Sequence, residues 1–431
     1  MNATLPPGPS ESVLRQSLAW TFRPRPWLDH CRRDHGDMFT IRLSQVGSVV
    51  MLAHPDMVKE VFTGDPAVFH AGEANLILRP ALGHHSVLLL DDERHMRQRK
   101  LLLPPFHGER MQSYGDLMRE LAEQDIARWP RGVPFKLHPH TQDVTLKIIV
   151  RAVFGVTDEA RSKRLHDALK AFMEWGTNPV QALALGFMGV DRVERNKVFM
   201  RERHKVDKVV YEEIAEARRR TDLEDRDDIL SLLLLARHED GSPMSDVELR
   251  DELMTLLTAG HETTATSLAW AMERLVRHPE AMERLVTEAH AGGTEYADAV
   301  CKETLRLRPV LPIVARLLKR DVEIGGRLQP EGVIVAPNIY LVQHREDVYP
   351  EPRRFRPERF LEGQGGTYSW FPFGGGIRRC IGASFALFEM RIVLQAIARS
   401  VQLRAAEPAS EPVGRRSITL TPRFGAQVVA A

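Results

Sequence analysis

The 431-residue chain is poor in cysteine, holding only Cys31, Cys301 and Cys380. Three residues so scattered exclude a disulfide framework or a closed zinc site and point to a reducing compartment. A surplus of charge is also missing. The 59 basic and 58 acidic residues leave +1, so nothing global suggests a nucleic-acid binder or a charged tail. No run approaches the about 20 apolar residues that span a bilayer, and the opening MNATLPPGPSESVLRQS lacks a basic-then-apolar secretion signal. A cytoplasmic chain without a membrane anchor is expected. The richest apolar run, ILSLLLLA at 229–236, is broken by a serine and stops at Arg237, which reads as a buried helix. Internal repeats and long polar linkers are absent too.

What is present is ample apolar material, 43% of residues, enough for one large domain with a buried cavity. Apolar spacings of three and four with dense charge predict helices near 112–129, 141–154, 163–176 and 191–220. Strand-like pieces sit toward the two ends: a hairpin over 39–52 turning near Gly47, and short strands over 322–335 punctuated by Gly325, Gly326 and Gly332. The fold class is mainly α with small β-sheets.

The clearest helix starts at Ser245, where SDVE offers a serine N-cap with Glu248 in the capping-box position, and it extends to about His278, before Pro279. Its centre, LLTAGHETTATSLAW, embeds a polar patch, His261 to Thr264, in a buried segment. Such groups are costly without partners or a task. A zinc-protease reading of His261-Glu262 fails because position 265 is alanine. A second helix ends in CKETLRLRPV with Pro309 as its stop, and Glu303 and Arg306 share one face. FRPERF at 355–360, with Pro352 and Pro357, is expected to be a compact irregular loop.

Cys380 follows Gly374, Gly375 and Gly376, is preceded by Arg378 and Arg379, and opens onto the apolar-periodic segment IGASFALFEMRIVLQAIA. A glycine-rich electropositive turn at a helix N-terminus favours a thiolate, suited to a ligand or a nucleophile. A cysteine-histidine hydrolase would need a positioned base among the 17 histidines. A haem-thiolate centre would need one axial cysteine in a tight loop, arginines for the propionates and a long helix over the opposite face. Cys31 and Cys301 carry no motif and read as structural.

These residues give the chain a family resemblance: it resembles the cytochromes P450. FPFGGGIRRCIG carries the family's F-x-x-G-x-R-x-C-x-G pattern in full at Phe373, Gly376, Arg378, Cys380 and Gly382, Glu303 and Arg306 match its E-x-x-R helix, FRPERF its meander, and AGHETT at 259–264 its oxygen-activation pattern. The resemblance covers essentially the whole chain and implies a single P450 domain over 1–431, of the bacterial type, with a long central helix over the haem. Its β-rich part would lie near 35–70 and 310–345, and its α-rich core near 90–310 and 380–400.

The resemblance implies haem b with Cys380 as the metal ligand, within a loop that includes Phe373 and Gly374. It implies propionate contacts from His95, Arg99, Arg316 and Arg378. Many members have tryptophan at the position of His95, and many bacterial ones histidine. Ala259 and Gly260 would leave room for dioxygen, Glu262 and Thr263 would form a proton-relaying acid-alcohol pair, and Arg359 would join Glu303 and Arg306 in a structural ion cluster.

The implied activity is insertion of one oxygen atom from O2 into a lipophilic small molecule, by hydroxylation or epoxidation. The alternatives are a haem-thiolate peroxygenase or isomerase, and a non-enzymatic haem sensor or carrier. By family position, 71–90 and 172–190 should line the substrate entrance with Leu76, Ile77, Leu78, Val87 and Leu88 on one side, and Phe172, Met173, Trp175, Leu183, Phe187 and Met188 on the other. Thr255, Thr258, Val310, Leu311 and Ile313 would complete the pocket, and Arg79 is a candidate for pairing a substrate carboxylate or for facing solvent. No room for a fused flavin reductase is seen, so electrons are expected from a ferredoxin or flavodoxin and its reductase. Arg353, Arg354, Arg379 or Arg391 would dock an acidic partner, and the protein is expected to be a monomer.

Overall fold

The computed structural model describes residues 4–44, 46–106, 110–177 and 188–431. Contacts gather the chain into two compact units. One holds the chain up to His70, Met118–Gln142 and Thr263–Ala431, and the other Ala71–Leu117 and Asp143–Glu262.

In the first unit a five-stranded sheet runs Met38–Leu43, Gly47–Leu52, Ile334–Pro337, Arg316–Leu318, Phe69–His70 from edge to edge. The hairpin predicted from 39–52 pairs Phe39 with Met51 and Ile41 with Val49, and Gly47 adopts a φ of 81° at its turn. Both faces of this sheet are covered, and its inner strands carry the unbroken apolar stretches VVML at 49–52 and IVAP at 334–337. Val50, Leu52 and Val335 enter one core with Phe62, Phe69 and Phe371. Their neighbours Val49, Met51 and Ala336 enter another with Trp20, Trp27 and Tyr340, as the alternation of strand side chains requires. Along the outer edge, Thr40 N donates to Pro7 O at 3.0 Å and Thr40 Oγ1 to Pro6 O at 2.7 Å.

The second unit is helical. Three of its expected helices appear, in whole or part, as Arg110–Ile126, Leu137–Phe154 and Glu159–Thr177. The expected 191–220 helix is instead two, Val190–Glu194 and Lys197–Arg218, because Asn196 leaves the helical path and its side chain caps Val198 N and Phe199 N at 3.0 Å each. Asparagine prefers that capping role to a helix interior.

The long helix is Asp246–Leu275, 30 residues, contributing to one unit through Glu262 and to the other from Thr263. Its capping box closes in both directions: Glu248 N donates to Ser245 Oγ at 3.2 Å, and Ser245 N to Glu248 Oε2 at 2.8 Å. No helix among the described residues is long and apolar enough to cross a membrane.

Candidate active site

The cysteine loop is shaped by what glycine leaves out. Gly374 and Gly376 have φ of 67° and 63°, a region that disfavours any Cβ. A Cβ on Gly375 would strike the Phe62 ring, and one on Gly376 the Phe62 carbonyl. Residues Gly376–Arg378 form one 3-10 turn, Cys380 N donates to Phe373 O at 3.0 Å, and the helix Ala383–Ser400 follows directly. Cys380 is exposed, whereas Cys31 and Cys301 are fully buried. Burial pushes the Cys31 thiol up to about 12 and raises the Cys301 thiol too. Of the three sulfurs, only that of Cys380 combines access with a turn narrow enough to meet a flat ligand, so the donor chemistry fits an axial thiolate.

Behind this loop, Glu303, Arg306 and Arg359 are all fully buried. Arg306 Nε donates to Glu303 Oε2 at 2.6 Å and Nη2 to Oε1 at 2.9 Å, the parallel geometry that makes arginine-carboxylate pairs strong. Arg306 Nη1 also donates to Gln343 O and Pro352 O, both at 2.8 Å, over the Tyr349 ring. Arg359 Nε stands 3.5 Å from Glu303 Oε1, and its Nη2 donates to Glu351 O at 2.9 Å. Arg359 does not sit on an irregular loop: Glu358–Leu361 is a short helical turn started by Pro357, whose fixed φ suits a helix start.

On the long helix, His261 is buried with Nδ1 3.0 Å from Thr145 Oγ1, a bond that explains how a histidine is tolerated there. Glu262 and Thr263 are half-buried, and Thr263 O accepts from Ser267 Oγ at 2.8 Å. Ala259 is exposed. A Cβ on Gly260 would come 3.4 Å from Ile149 Cδ1, an ordinary contact.

The model of the family described as Cytochrome P450 matches residues 6–423. This chain belongs to the cytochrome P450 family. It is 40% identical over 98% of its length to "Putative cytochrome P450 135B1" of Mycobacterium tuberculosis, covering 91% of that protein. It is 38% identical over 98% of its length to "Putative cytochrome P450 135A1" of the same organism, covering 94%. Among solved structures, retinoic acid bound cyanobacterial CYP120A1 superposes with a TM-score of 0.86 at 22% identity, covering both chains fully. The fold is thus the P450 fold, and the cofactor is haem with a cysteine thiolate axial ligand.

The other sequence-predicted residues of this P450 are placed as follows. His95 is buried and Arg99 half-buried, four apart on the helix Asp92–Leu102. Arg316 is buried in its strand, donates to Ala315 O at 2.8 Å and stacks 5.9 Å over Phe62; Arg378 is half-buried at the end of the 3-10 turn. Of the pocket candidates, Leu76 and Ile77 are exposed and Leu88 and Thr258 half-buried, while Val87, Phe172, Thr255 and Val310 are buried. Phe172 packs on Phe199, and Thr255 Oγ1 donates to Asp251 O at 2.6 Å. Leu311 and Ile313 pack against the two cores of the first unit. Leu183 and Phe187 lie outside the described residues. Arg79 is half-buried and does not offer an open guanidinium, since Asp191 and Glu194 both accept from it. Sequence reasoning missed Gln343, a buried amide in no motif, and Phe62, whose ring and carbonyl set the shape of the glycine turn.

Proposed function

We propose that this P450 inserts one atom of O2 into a lipophilic small molecule, as a single catalytic domain taking electrons from a separate ferredoxin or flavodoxin and its reductase. The observation that carries the reading is exposed Cys380, whose backbone amide donates to the Phe373 carbonyl and which lies in a glycine turn just before the helix Ala383–Ser400. Cys380 would be the axial ligand, and His95, Arg99, Arg316 and Arg378 would hold the propionates. When bound, haem supplies the iron at which dioxygen is activated. The chain's own part is then proton supply and water control. Glu262 takes protons from solvent and Thr263 presents them from Oγ1, a division that suits a half-buried carboxyl beside a hydroxyl.

That relay favours dioxygen over peroxide or isomerase chemistry, neither of which needs protons delivered there. On the partner side, Arg353 donates to Asp29 at 2.8 Å, Arg354 to Glu351 at 3.3 Å and Arg391 to Asp298 at 3.1 Å. Arg379 is exposed and makes no ion pair among the described residues, which supports it as the cation that meets an acidic redox protein.

The test is turnover of a panel of terpenoid, steroid and fatty-acid substrates under heavy-isotope dioxygen. One labelled oxygen per product molecule is expected. Unlabelled product, or turnover driven only by added peroxide, would replace this reading with the alternatives.

A further inference from the structure

Gln343 ends the short helix Ile339–Gln343 and is fully buried. Its Nε2 donates to Leu305 O and Arg306 O, both at 3.1 Å, the last carbonyls of the helix Glu295–Leu307, which have no partner within that helix. Its Oε1 accepts from Phe371 N at 3.2 Å, and its backbone carbonyl accepts from Arg306 Nη1 at 2.8 Å. One amide thus joins the buried ion cluster to the first residue of FPFGGGIRRC.

From Phe371 the constraint continues toward the cysteine. Phe371 O accepts from Gly374 N at 2.9 Å, and the Phe371 ring meets Phe62 edge-on at 5.5 Å. Phe62 in turn occupies the space beside Gly375 and Gly376. The loop closes where Phe373 O accepts from Cys380 N. An amide is the side chain that donates two bonds from one end while accepting at the other. A carboxylate would face two carbonyls, and leucine would strand three buried backbone groups.

We propose that Gln343 is a positioning residue for the cysteine loop, fixing Phe371 so that the sulfur of Cys380 is presented as a thiolate; this rests on Cys380 being the axial ligand. Its role is to transmit the rigidity of the Glu303-Arg306 pair to the ligand, and it touches no reacting atom.

The experiment compares holoprotein of Gln343→Leu with Trp370→Phe, which loses a neighbouring bond, Trp370 Nε1 to Lys302 O at 3.2 Å. In Gln343→Leu the Phe371 amide should exchange hydrogen about tenfold faster, the effect of one lost buried bond. The reduced, carbon-monoxide-bound spectrum should gain the shorter-wavelength Soret band of a protonated or displaced thiol. Trp370→Phe should show neither. If Gln343→Leu does not fold, Gln343→Asn, one methylene too short to hold both ends, carries the same expectation. A wild-type spectrum in whichever variant folds, or an equal spectral change in Trp370→Phe, overturns the proposal. Persistence of the long-wavelength band in Cys380→His would instead remove the ligand assignment, while Phe371 exchange still judges the anchoring bond on its own.

Discussion

Arg79 closes a fork on Glu194, Nε to Oε1 at 2.9 Å and Nη2 to Oε2 at 3.1 Å, while Asp191 takes Nη2 at 2.5 Å. The guanidinium that could have met a substrate carboxylate is therefore engaged with two of the chain's own. Arg79→Met should lower stability by at most about 1 kcal/mol, because the pair is partly solvated. It should leave the ratio of binding constants for a fatty acid and its methyl ester unchanged. A selective loss of the acid in substrate-induced spin-shift titrations would show that Arg79 leaves its partners for the ligand.

The ion cluster behaves differently because all three of its side chains are fully buried. Glu303→Gln leaves Arg306 as a buried cation with a neutral neighbour, and the expected loss is about 3 to 5 kcal/mol. Thermal unfolding should fall accordingly, and haem content should fall with it. A stable, fully loaded variant would mean that the meander holds its shape through backbone bonds alone.

For the acid-alcohol pair, Thr263→Ala should leave substrate binding intact and divert reducing equivalents to peroxide, cutting product per electron pair about tenfold or more. Glu262→Gln should slow turnover with a changed pH profile. Full coupling in Thr263→Ala, measured as product against electrons consumed, would assign proton delivery elsewhere.

His138 supplies a pH prediction. Burial, aided by nearby Arg416, pushes its imidazole down to about 3, and its Nε2 lies 3.2 Å from Thr266 Oγ1. The unfolded chain binds a proton near pH 6.5 that the folded chain refuses until about pH 3. This contribution is therefore fully present above pH 6.5 and is lost as pH falls through the window, at up to about 1.4 kcal/mol per pH unit. His138→Gln should flatten the acid limb of a stability-pH curve, and an unchanged limb would place the titration in other groups.

Gly376→Ala drives a methyl into the Phe62 carbonyl at a φ of 63°. Backbone cannot swing aside as a side chain can, so about 1 to 3 kcal/mol of strain is expected, read as poorer haem retention.

Much of this was legible in the sequence wherever the physics is local. The capping box at Ser245 and the hairpin turn at Gly47 appear near the predicted places because each is fixed by residues a few positions apart. The cysteine loop and the E-x-x-R pair were legible because their spacing is short and their residue types unusual. The break at Asn196 was not, since the apolar spacing continues across it and only the side-chain cap betrays it. Gln343 and Arg79 were hidden for another reason. Their partners lie 28 to 38 and 112 to 115 positions away, and a polar residue gives no hint of which distant group it will meet.

Pro6 and Pro7 lie along Thr40 at the rim of the five-stranded sheet, and Gly8 passes so close to the Thr40 carbonyl that no side chain would fit. Two prolines have no amide hydrogens to offer a further strand, so this short segment works as a selvedge, finishing a border that would otherwise unravel into pairing with other molecules. Chains trimmed to begin at the first helix, Val13–Phe22, would lose that finish. Their first failure would be clumping in the tube, well before any change in the chemistry at Cys380.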